Sequence, residues 1–200
     1  MKRSKQFERT TRDIVNAFME VLGRKPFEKI VVQDVLDAAM INRSTFYQHF
    51  ADKYAILSHL QEKYVTGFSE IITPLREQDG RRFSEMDAVV SEYMAKNRDA
   101  LCLLLPIKTD HIDFRQGFQD VWQAYFHRII PSLSPLELTM LSDVIMDYFI
   151  YSLTHNDISS KYASGFFECC LNLTLAFFTL ESYPQARSEL LDLIGRYRST

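Results

Sequence analysis

An all-α fold is predicted by three features of this 200-residue sequence. Gly and Pro number only six each, so long stretches run without a helix breaker. Apolar residues recur at three- and four-residue steps, and alternating runs of strand type are absent. The expected arrangement is a three-helix, helix-turn-helix head at the N-terminus followed by a helical bundle, about nine or ten helices in all.

The elements follow in order. Phe7, Ile14, Phe18, Val21 and Leu22 share a helical face, which predicts a first helix over 7–22 closed by Gly23. The segment RKPFEKI, with Pro26, is a short connector. Val32, Val35, Leu36 and Ala39 predict a second helix over 32–39, ended at Met40–Ile41. Asn42 is a good N-cap for a third, 43–49, and Asp52 for a fourth, 53–72, which turns Ile56, Leu57, Leu60, Tyr64 and Phe68 inward. Pro74 and Gly80 mark a loop. Further helices are expected over 84–96, 98–105, 113–130, 135–154, 161–181 and 185–197, with Pro106, Pro131, Pro135 and Pro184 at the joints. The domain division is 1–54 for the head and 55–200 for the body, with helix 53–72 linking the two.

Charge is divided along the same line. Residues 1–54 carry a net +3 and residues 55–200 a net −6, as a polyanion-binding head on an acidic body would. Cys102, Cys169 and Cys170 are odd in number and lie in apolar runs, which argues for reduced thiols in the cytoplasm. The basic N-terminus lacks the apolar stretch of a secretory signal. The most apolar run, CCLNLTLAFFTL, is too short to span a bilayer. The five histidines, His49, His59, His111, His127 and His155, do not fall into a ligand spacing that closes a metal site. There is no Gly-rich phosphate loop and no nucleophile elbow. An enzyme, a metal and a cofactor are therefore not expected.

The stretch NRSTFYQHFADKY, residues 42–54, carries the densest chemistry. Two short helices across a tight turn make a helix-turn-helix, whose second helix enters the major groove. Phe46 and Phe50 are four residues apart and can anchor that helix to the core. Ser44, Thr45, Tyr47 and Gln48 then fan across its other side. Arg43 can donate two hydrogen bonds to guanine, and Gln48 can pair with adenine or a phosphate. Tyr47, His49 and Lys53 offer donors suited to phosphate oxygens, Lys53 from the first turn of a helix.

On these residues the chain resembles the tetracycline-repressor (TetR) family of bacterial transcription regulators. The resemblance runs over residues 14–57 through AF at 17–18, PFEKI at 26–30, VVQDV at 31–35 and NRSTFYQHFADKYAIL at 42–57. It implies base-edge contacts for Gln33, Arg43, Ser44 and Tyr47, and phosphate contacts for Thr45, Gln48, His49 and Lys53. It also implies repression of transcription from a near-palindromic operator on the bacterial nucleoid. Two positions depart from the family pattern. Val31 stands where members often carry a capping Thr, with Gln33 or Asp34 as possible substitutes. Met40 stands where the family turn usually holds Gly at positive φ, at a cost of roughly 1 kcal/mol.

The sequence match fades near residue 60. The aromatic-rich C-terminal half is loosely similar to the branch that includes dihydroxyacetone-kinase regulators. The alternative function is a TetR-like co-activator or adaptor acting through a protein partner, which an exposed apolar patch with no closed pocket would mark. A dimer is expected, because family dimers pair their last long helices in a four-helix bundle. Ala163, Ser164 and Gly165 would allow close helix approach, and Phe166, Phe167, Leu173, Phe177 and Phe178 could anchor the interface. The family places a small-molecule effector among the middle helices. Candidates that mix apolar wall with a few donors are Tyr93, Met94, Cys102, His111, Phe114, Arg115, Phe118, Trp122, Tyr125, Phe126 and Tyr148. Arg115 and His111 would suit an anionic group.

Overall fold

The computed structural model describes residues 2–73, 83–129, 131 and 133–154. Its elements are α1 (Lys2–Leu22), a 3-10 turn (Phe27–Lys29), α2 (Val32–Ala39), α3 (Arg43–His49), α4 (Lys53–Ile72), α5 (Phe83–Lys96), α6 (Arg98–Leu104), α7 (Phe114–Ile129) and α8 (Pro135–Thr154). Among the described residues the structure is all-helical, save for one isolated antiparallel bridge between Lys108 and Asp113. The helices expected over 161–181 and 185–197, with the interface residues Ala163 to Phe178, lie outside the described residues.

The first helix starts at Lys2, five residues before its apolar pattern begins. Lys, Arg and Gln are strong helix formers, so the polar lead-in joins without needing a buried face. The face that is buried carries Ile14, Val15, Ala17, Phe18, Val21 and Leu22. It meets Val35 and Leu36 of α2 and the buried rings of Phe46 and Phe50.

The caps are local and chemical. Asn42 Oδ1 accepts from the Thr45 N–H at 2.8 Å, and Asp52 Oδ1 accepts from the Ala55 N–H at 2.8 Å. At Val31 the missing side-chain cap is replaced from within the helix: Asp34 Oδ2 accepts the Val31 N–H at 2.7 Å. That carboxylate also pairs with Lys25, whose hydrogen bond holds the Asp34 carboxyl below its usual range. Gln33, the other possible substitute, is engaged elsewhere. Met40 adopts the left-handed conformation a glycine would have taken, with φ 52° and ψ 43°. The Met40 and Ile41 N–H groups both reach the Leu36 carbonyl, so α2 closes through a left-handed residue despite the Cβ strain.

Lys53, the first residue of α4, ties the connector to that helix. Its Nζ donates to the carbonyls of Phe27 at 2.9 Å, Glu28 at 3.1 Å and Ile30 at 2.9 Å. These are carbonyls of the 3-10 turn and its end, of which that of Phe27 also accepts from the Ile30 N–H at 3.1 Å. The ammonium also lies 4.5 Å from the centre of the Phe27 ring. Its three protons are therefore each taken by the backbone.

The body continues the same core. Phe114, Phe118, Trp122 and Phe126 are fully buried along α7. Trp122 stacks on Phe126 at 5.6 Å and on Phe149 of α8 at 6.0 Å, and meets Phe68 of α4 edge-on at 5.6 Å. Gly117 lets α7 come close to α4, since a Cβ there would sit 2.8 Å from Val65 Cγ2. Gln61 of α4 donates to the Asp113 carbonyl at 2.9 Å, and Tyr93 of α5 donates to the Tyr64 carbonyl at 2.7 Å. Burial pushes the Tyr93 hydroxyl up to about 12, so it stays a donor.

The clamp makes one prediction. Replacing Lys53 with Met keeps the stem and removes the ammonium. Unfolding in urea, followed by circular dichroism, should show a loss of about 2 kcal/mol, because several carbonyls lose charge-assisted partners together. A change under about 0.5 kcal/mol, the range of an ordinary surface substitution, would rule the clamp out.

Candidate nucleic-acid interface

Helix α3 is a two-faced element. Phe46 and Phe50 hold one side in the core at 0% and 7% exposure. Arg43, Ser44, Tyr47 and Gln48 stand exposed on the rest, with Tyr47 at 49%, and Thr45 is half-buried. The Tyr47 ring leans edge-on against Phe46 at 5.5 Å, which limits its freedom while its hydroxyl end stays in solvent.

The residues expected to meet base edges are brought together across the turn. Arg43 Nη2 donates to Gln33 Oε1 at 3.3 Å, and Gln33 Nε2 donates to Asp37 Oδ1 at 2.8 Å. Asp37 was not among the residues singled out from the sequence. Its signal was the four-residue spacing from Gln33 on a short helix, a pairing that is common on exposed faces.

Two of the expected phosphate contacts are engaged differently. Lys53, expected at a phosphate, has its Nζ within hydrogen-bond distance of the three carbonyls described above. His49 is half-buried and stacks on Phe7 of α1 at 4.0 Å. Its Nδ1 lies 2.8 Å from Thr11 Oγ1, and that hydroxyl is 3.1 Å from the Phe7 carbonyl. Either atom can be the donor across the His49–Thr11 contact, because the neutral ring pairs with the hydroxyl in either tautomer. Burial pushes the imidazole below its usual value and favours that neutral form.

The candidate effector residues divide into three groups. Phe114, Phe118, Trp122, Phe126, Met94 and Tyr148 are buried, while Tyr125 is half-buried against Trp122 at 6.0 Å. Trp122 Nε1 is buried with no hydrogen-bond partner among the described residues. Tyr93 and Cys102 face backbone carbonyls, Cys102 Sγ lying 3.7 Å from that of Leu153. The pair thought suited to an anion is not assembled. Arg115 is matched by Asp147 at 2.7 Å and Asp143 at 3.9 Å, and His111 is exposed on the loop before α7. That loop and the start of α4 enclose a groove of about 620 Å³ against the head, lined by Glu28, Asp52, Tyr54, Asp110 and His111 among others.

Among the described residues no group of three His, Cys, Asp or Glu is placed to hold a metal. No described helix is long and apolar enough to cross a membrane.

Comparison with known proteins places this geometry. Residues 14–60 match the family "Bacterial regulatory proteins, tetR family". No curated protein matches the chain. Among solved structures, a TetR transcriptional regulator from Streptococcus agalactiae superposes with a TM-score of 0.65 at 19% identity, covering 86% of this chain and 98% of that one. The dihydroxyacetone kinase operon activator DhaS superposes with a TM-score of 0.53 at 20% identity, covering 86% of this chain and 97% of that one. At these identities the likeness is one of fold. The family match falls on the second half of α1, on α2 and α3 and on the start of α4, so residues 14–60 resemble the head of tetR-family regulatory proteins, and the helical body that follows is similar in fold to these solved structures.

Proposed function

We propose that this regulator is a repressor that binds a near-palindromic operator as a homodimer and leaves it when a small molecule enters the body. The observation that carries the reading is α3 itself, anchored by Phe46 and Phe50 with Arg43, Ser44, Tyr47 and Gln48 presented outward. Arg43, Gln33, Ser44 and Tyr47 would meet base edges, and Thr45 and Gln48 would meet phosphates. Lys53 would serve from behind by fixing the start of α4. His49 would reach a phosphate as donor through Nε2.

Homodimerisation is proposed through Ala163, Gly165, Phe166, Phe167, Leu173, Phe177 and Phe178, on the strength of their small and aromatic side chains. The exposed Leu136, Val144 and Tyr151 of α8 are apolar surface that a partner could cover. The proposed effector has an apolar body and a hydrogen-bond acceptor. The support is Trp122, whose indole N–H lies buried without an acceptor among the described residues. Leaving a donor so placed is unfavourable by about 1–3 kcal/mol, which an acceptor would recover.

The direct test is binding of the full chain to the duplex upstream of its own gene, at two salt concentrations, against a scrambled duplex. The reading predicts selective binding that weakens with salt. Replacing Tyr47 with Ala should then weaken it about tenfold. Equal binding to both duplexes would count against operator recognition and bring forward an adaptor that works through a protein partner, the reading favoured by the fold likeness to an operon activator. Unchanged affinity in the Tyr47 variant would remove α3 from the groove.

Trp122 is the only tryptophan of the chain, so effector binding should alter the intrinsic fluorescence. The substitution Trp122→Phe keeps the ring and deletes the donor. It should raise the effector concentration needed for half-release of the operator by about five- to tenfold. An unaltered half-release concentration would show that the indole N–H does not hold the effector.

A further inference from the structure

We propose that Asp37 sets the base preference of Arg43 without touching DNA, by fixing which way the Gln33 amide faces. The inference rests on the DNA-reading role proposed above and adds a positioning residue to it.

An amide side chain has an accepting end and a donating end. A guanidinium can only donate, and an ionised carboxylate can only accept. In the chain Arg43–Gln33–Asp37, the carboxylate takes the NH2 of Gln33 at 2.8 Å, which leaves the amide oxygen for Arg43 at 3.3 Å. The reversed amide would set NH2 against the guanidinium and oxygen against the carboxylate, so both contacts would turn repulsive. Asp37 therefore decides the orientation of Gln33, and Gln33 in turn gives Arg43 a fixed acceptor across the turn. Gln33 and Asp37 sit four residues apart in α2, and Arg43 opens α3, so the chain bridges the two helices at the N-terminal end of α3.

All three side chains are exposed, so each bond is individually modest. The consequence lies in ordering. A long Arg side chain free in solvent samples many rotamers, and holding one of its nitrogens narrows that set before DNA arrives. Most of its N–H donors remain for a base edge. A carboxylate on this basic head works against attraction for a polyanion. Orienting Gln33 accounts for its presence there.

The experiment is selection from a randomised duplex library by the full chain, giving a preference profile for wild type and variants. The base pair read by Arg43 is identified as the one whose preference Arg43→Ala abolishes. At that pair Asp37→Ala should lower the preference ratio about three- to tenfold, while affinity for a scrambled duplex does not fall. The conservative Asp37→Asn keeps an acceptor oxygen and should restore the ratio to within about twofold of wild type. In a Gln33→Ala background, Asp37→Ala should change nothing further, since the residue acts only through the amide. Alanine is favourable at this exposed helical position, so the head stays folded.

Full retention of preference in Asp37→Ala overturns the inference, as does failure of Asp37→Asn to restore it, or additivity of the two alanine substitutions. A wild type with sequence preference that Arg43→Ala leaves intact overturns this inference alone. A wild type with no preference at all overturns the DNA-reading role and this inference together.

Discussion

The ammonium of Lys53, caught between the carbonyls of Phe27, Glu28 and Ile30, is the contact on which the geometry of the head depends. The connector that follows α1 has little regular structure of its own, only one 3-10 turn. The Phe27 carbonyl has a second partner in the Ile30 N–H, but Lys53 alone draws it together with those of Glu28 and Ile30. By gathering them onto one cation, α4 takes hold of the chain immediately before Val31, where α2 begins. The Lys25–Asp34 pair and the Asp34 bond to the Val31 N–H then fix the first turn of α2. From α2 the path runs through the strained Met40 to Asn42 and α3. The pose of the presented face thus follows from the start of α4, and the strain at Met40 is tolerated because both flanks of the turn are held.

The same helix carries that control into the body. Tyr93 and Gln61 are hydrogen-bonded across α4 to α5 and to the turn before α7, and Gly117 allows the α4–α7 approach. Trp122 meets Phe68 of α4, so the proposed effector, on changing the packing around Trp122, would act on that helix. The far end of that helix is the residue that clamps the head. Under the proposed function, operator release would require only a differential affinity of the effector for two positions of α4, and about 1–3 kcal/mol would be sufficient for a regulatory response. The groove between the head and the loop before α7 leaves room for such a displacement.

What could be read from the sequence was local. Asn42 and Asp52 cap by reaching their own next turn, so residue type and spacing reveal them. The apolar periodicity of α4 and α8 reproduces both ends of those helices. α1 begins five residues earlier than its periodicity because a polar lead-in has no face to advertise. The contacts that Lys53 makes within the protein were not legible. Its partners lie 23 to 26 residues away and are backbone carbonyls, which carry no side-chain signature. His49 was similar, since Thr11 stands 38 residues from it on another helix. Arg115 and His111 looked like a site because they are close in sequence, but Arg115 is matched by carboxylates of α8 and His111 stands on the exposed loop. Asp37 escaped notice because an exposed carboxylate four residues from a glutamine is ordinary on its own, and its meaning comes only from Arg43 across the turn.

The central claim is that α3 meets DNA while Lys53 holds the head from behind. The most direct measurement is the salt dependence of operator binding for Lys53→Met beside Gln48→Ala, both at a temperature where each variant is folded. The account predicts that Gln48→Ala, which deletes an uncharged phosphate contact from the outward face, weakens binding and leaves the slope of log affinity against log salt unchanged. It predicts that Lys53→Met weakens binding with its slope unchanged. A slope for Lys53→Met shallower by about 0.9 would contradict it, because that is the signature of one lost ion pair with phosphate.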